Sequence, residues 1–73
     1  MLRDHLALAE RHVGDGLKHV RRQREVVKEL ARAGQDNSRS KALLRQFEDL
    51  LDMHIRDRNH VRAELAATIR QDE

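Results

Sequence analysis

The chain contains no cysteine, no proline, no tryptophan and no tyrosine, and Phe47 is its one residue of the Phe, Trp and Tyr class. Without cysteine there is no disulfide framework, no thiolate metal ligand and no thiol chemistry. Without proline, no ring removes a backbone donor inside a helix. A single aromatic ring is too few for the stacking platform that proteins of single-stranded nucleic acid use. No apolar run approaches the length needed to cross a bilayer, and the N-terminus lacks the uninterrupted apolar stretch of a signal peptide. These absences predict a cytoplasmic protein that makes no use of a membrane. At 73 residues the chain forms one domain at most and buries little apolar surface. With disulfides excluded, the remaining reinforcements are metal held by His and carboxylate, or self-association.

What is present favours long helices. Apolar and charged residues each make up 38%, and the apolar ones recur at helical spacing. A 4-3 repeat runs through Leu2, Leu6, Ala9, Val13, Gly16, Val20, Gln23, Val27 and Leu30, then resumes through Leu44, Phe47, Leu51, His54, Arg58, Val61, Leu65 and Thr68. Gly34 is the residue type that ends helices in a left-handed conformation. Asp36, Asn37 and Ser38 can each cap the next helix. The prediction is an all-α chain, a single helical-hairpin domain over 1–73, with helix 1 at about 2–33, a turn at 34–37 and helix 2 at about 38–70.

So short a turn makes the helices antiparallel. A turn centred near residue 36 or 37 sets Leu30 against Leu44, Gln23 against Leu51, Val20 against His54 and Gly16 against Arg58, so that Gly16 makes room for the Arg58 stem. Leu17, Val26 and Ala31 on helix 1, and Leu43, Leu50 and Ile55 on helix 2, flank the seam. Two helices cannot cover so wide a stripe. Two-fold pairing into a four-helix bundle is the simplest remedy, which makes the chain itself the expected partner. The expected core and dimer residues are Leu6, Val13, Leu17, Val20, Val27, Leu30, Leu43, Leu44, Phe47, Leu50, Leu51, His54, Val61 and Leu65.

His5, His12 and His19 each precede a seam residue, about 10 Å apart at ~1.5 Å per residue, too far for two of them to share a metal. A metal site needs helix 2. In the expected register His19 faces His54 and His12 lies near His60, with Glu64 or Asp57 as a carboxylate, a set suited to zinc or iron. The ExxH and HExxH spacings of di-iron bundles and zinc proteases are missing, so half-buried amphipathic imidazoles are the simpler expectation and no cofactor is assigned. Gln23, His54 and Arg58 interrupt the seam as polar residues do when they fix register and oligomeric state.

Residues 1–34 carry eight Arg/Lys against five Asp/Glu, whereas 35–73 carry seven against eight. The basic stretch Lys18, Arg21, Arg22, Arg24 and Lys28 could meet the phosphates of a nucleic acid. An RNA-binding dimer of helical hairpins, the small plasmid-encoded Rop type, is similar in architecture, without a shared motif. Set against this is a solvated face whose charges pair at helical spacing, Arg21 with Glu25 and Glu29 with Arg32. Ser38 and Ser40 are explained by capping, and no nucleophile sits in a catalytic context, so no enzyme is expected. The leading expectation is a structural or protein-interaction module that presents charged faces to another protein.

The succession AERHV (9–13), RRQREVVKEL (21–30), GQD (34–36), LLRQFEDLLDMH (43–54) and RDR (56–58) covers most of the chain. It resembles a group of short, uncharacterised proteins of soil and root-nodule alphaproteobacteria. The resemblance implies a natural two-helix protein and carries no activity or site residue.

Overall fold

In the computed structural model, which describes residues 1–71, α1 runs Leu2–Arg32 and α2 runs Ser38–Gln71. The expected domain's last two residues, Asp72 and Glu73, lie outside the described residues. The helices pack lengthwise and antiparallel into a rod of 61 × 14 × 14 Å. Its radius of gyration is 17.1 Å, against about 11 Å for a compact chain of this length. Each helix therefore has one neighbour and three sides open to solvent.

The turn is built from backbone groups that the helix ends leave unpaired. Gly34 adopts φ +68°. That conformation lets the Gln35 N–H donate to the Leu30 carbonyl at 2.9 Å and the Gly34 N–H donate to Ala31 at 3.1 Å, a Schellman closure. On the other side the Asn37 carbonyl accepts the first α2 bond, from Lys41 at 2.9 Å. Asp36 serves that helix start with its carboxylate, which accepts from the Ser38 N–H at 3.0 Å and the Ser38 hydroxyl at 2.7 Å. The Asn37 amide turns back to the Val27 carbonyl of α1, at 3.5 Å, instead of capping α2.

The core is thin. Among the described residues the buried ones are Ala9, Val13, Val20 and Gln23, all on α1. The α2 seam residues Leu44, Phe47, Leu51, His54, Arg58, Val61 and Leu65 are half-buried, as are Leu6, Val27 and Leu30 opposite them, and Thr68 is exposed. Leu17, Leu43 and Leu50, expected in the core or a dimer interface, are exposed in the single hairpin. Gln23 is 8% exposed and donates to the Ser40 carbonyl at 3.0 Å, so a polar seam residue fastens α1 to the first turn of α2.

The register differs from the expected one by a heptad. A Cβ on Gly16 would lie 3.1 Å from Leu51 Cδ1 and 3.7 Å from its Cα. Gly16 therefore admits Leu51, not the Arg58 stem, whose guanidinium instead donates to Asn59 Oδ1 at 3.1 and 3.3 Å. The long Gln23 side chain reaches past that register to the Ser40 carbonyl, where Leu51 was expected opposite it. The reason is the turn. Its closure at Gly34 and Gln35 brings the chain round earlier than a turn at residue 36 or 37, which slides the facing positions in this direction, and the seating of Leu51 at Gly16 fixes the heptad.

The two helical glycines should behave oppositely on substitution. A Cβ on Gly14 meets nothing within 4 Å, so Gly14→Ala should raise stability by about 1 kcal/mol through helix propensity. Gly16→Leu should lower it by about 1–3 kcal/mol through overpacking at Leu51. Urea unfolding midpoints of the two variants check both signs.

A second expectation concerns pH. The Ser38 hydroxyl, then the Ser38 N–H, hold the Asp36 carboxyl below its ordinary value of 3.8. A lowered folded-state value contributes stability that is present above the unfolded value and lost as pH falls through the folded one. Asp36→Ala should thus be less stable than the parent at pH 7, and the gap should narrow below about pH 4, measured as urea midpoints at pH 7 and pH 3.

Candidate interaction face

The two flanks of the seam are chemically unlike. On one, Arg62 donates to Glu10 at 3.1 Å and Arg24 lies 3.9 Å from Glu48, so ion pairs span the helices near both ends of the rod. Their side chains are about half exposed, which keeps the stabilisation small while still favouring this register over a slid one. The opposite flank has the histidine ladder. His5, Leu8, Ala9, His12, Asp57 and Val61 line an open groove of ≈ 240 Å³. The next groove, of ≈ 280 Å³, is lined by His12, Asp15, Gly16, His19, Phe47, Leu50 and His54. Leu50 and Met53 continue into a third, shallower hollow.

Apolar exposure concentrates beside these grooves. Leu8, Leu43, Leu50 and Met53 are 49%, 40%, 46% and 56% exposed. Leu8 and Met53 follow His5 and Leu50 by three residues, so helical spacing sets them on the same flank. The sequence signal for them was present, one position further round the helix than the stripe singled out. The ion-paired flank exposes Leu17 and, near its end, Ile69.

The histidine pairings also move by a heptad. His54 lies against His12, not His19, with ring centroids 5.1 Å apart and planes tilted by 47°. His19 stacks on Phe47 at 5.6 Å and 27°. His60 meets Glu64 of its own helix at 2.8 Å on an exposed surface and lines neither groove that holds His12. Of the four-histidine set, His12, His19 and His54 line one groove, His19 against Phe47, while His60 pairs with Glu64 on the outer surface. Among the described residues no three His, Cys, Asp or Glu side chains converge as a metal cluster.

Lys18, Arg21, Arg22, Arg24 and Lys28 are all exposed. At about 100° per residue, Arg22 and Arg24 stand roughly 160° apart around α1 and cannot face one row of phosphates together. Both are already engaged: Glu25 pairs with Arg22 at 4.0 Å, not with Arg21, and Arg24 with Glu48. Among the described residues no ion pair involves Lys18, Arg21 or Lys28. No helix of the described residues is long and apolar enough to cross a membrane.

No protein-family model, no curated protein and no solved structure matches the chain.

The ion-paired flank yields a salt test. Arg62→Ala should lower stability by less than about 1 kcal/mol at low ionic strength, and the difference should vanish near 1 M salt, where screening reaches ~3 Å. Urea midpoints at the two salt concentrations measure it.

Proposed function

We propose that the chain is a small, non-enzymatic, cytoplasmic protein-interaction module: a homodimer in which two hairpins pair through their histidine flanks into a four-helix bundle and present their charged faces to another protein. One observation carries this reading. Leu8, Leu50 and Met53 stand exposed along open grooves on one flank, with Leu43 exposed on the same side, while cross-helix ion pairs span the other, where Leu17 and Ile69 are exposed. The energetics point the same way, because α2 has no buried residue among those described and a lone hairpin has little core to offset the entropy of ordering the chain. One long face of the rod, 61 × 14 Å, also offers close to the ~800 Å² per partner of a standard stable interface.

A nucleic-acid reading rests on Lys18, Arg21 and Lys28, the cations of the basic stretch that enter no ion pair among the described residues. They lie within about 80° of one another around α1. Such binding would fall steeply with salt. The likeness to short alphaproteobacterial proteins adds no activity to either reading.

Sedimentation equilibrium at micromolar concentration separates the outcomes. The parent should sediment as a dimer. Leu50→Asp with Met53→Asp should give a monomer, and Leu17→Asp, on the other flank, should leave the dimer intact. A stably folded parent monomer overturns the proposal.

A further inference from the structure

We infer that His12 and His54 form a cross-helix site for a divalent cation of the zinc class. Their ring centroids are 5.1 Å apart. Two imidazoles bound to one tetrahedral ion, at M–N distances of about 2.0–2.1 Å, have centroids roughly 5 Å apart. A tilt of 47° keeps the rings from stacking face to face, in contrast with His19 on Phe47 at 27°. The pair is therefore spaced as ligands of one ion are.

The surroundings favour a cation there. Asp15 follows His12 by three residues and Asp57 follows His54 by three, so each carboxylate stands one turn from a ligand on the same side of its helix. Asp15 lines the groove that holds both imidazoles, and Asp57 lines the adjoining one. The groove admits water, and the Arg58 guanidinium is held by Asn59. No third protein ligand converges among the described residues, so two imidazoles bind directly and water completes the shell, with the carboxylates acting through their field. Neutral imidazole suits zinc, copper and nickel better than calcium or magnesium. Both ligands belong to one chain, so the site needs no second hairpin.

The test is a zinc chloride titration of the full chain, followed by circular-dichroism melting, ring-proton NMR and sedimentation equilibrium. Zinc should raise the melting temperature saturably, chelator should reverse the rise, and the His12 and His54 ring signals should move together. His12→Ala, at an exposed position, should weaken zinc binding at least tenfold, a loss of the order seen when a metal's supporting groups are removed. His54→Gln should do the same, and His60→Ala, which removes the competing pair with Glu64, should leave the affinity unchanged. Unchanged affinity in His12→Ala, or no saturable response in the parent, overturns the site. A zinc-loaded monomer whose binding depends on His12 would support the site and defeat the dimer reading.

Discussion

The turn between the helices has to pair the last carbonyls of α1 and the first N–H groups of α2 within five residues, and everything else along the rod is referred to how it does so. Gly34 at φ +68° lets Gln35 and Gly34 close the end of α1, and Asp36 opens α2 through Ser38. In an antiparallel pair, moving the turn by one residue moves every facing position by two. The early closure slides the register toward the one in which Gly16 admits Leu51, not Arg58, and Gln23 reaches the Ser40 carbonyl.

From that register follows the division of labour between the flanks. With Leu51 seated at Gly16, Glu10 pairs with Arg62 and Arg24 with Glu48, so charge spans one side. On the other the register leaves His5, His12 and His19 with Phe47, His54 and Asp57 along two open grooves. A wide apolar stripe on two helices has one side too many to cover. Here the surplus falls mainly on one flank, as Leu8, Leu43, Leu50 and Met53, with Leu17 and Ile69 on the other.

Much of the architecture was legible residue by residue. The spacing of Val13, Val20, Val27, Leu44, Leu51 and Leu65 has no strand reading, and Gly34 marked the end of α1 because a left-handed position strains any residue with a Cβ. The polar seam residue Gln23 was visible as an interruption, but its partner was not, since Ser40 offers a backbone carbonyl that no side-chain pattern announces. The histidines were visible too, but their partners across the seam were not. A heptad repeat looks the same to itself after a slide of seven residues, so His12 with His54 and His19 with His54 are equally good matches in the pattern.

By itself the sequence determined two long helices and the stripes they carry, because apolar periodicity and helix propensity are local properties of consecutive residues. It also determined that the stripes are wider than one neighbour can bury. Only the tertiary structure decided which rung meets which. That choice depends on hydrogen bonds closed in three dimensions at Gly34, Asp36 and Gln23, and on the 3.1 Å approach of Leu51 to the space above Gly16. Contacts of that kind join residues far apart in the chain, and a repeating pattern leaves them undetermined by a whole heptad.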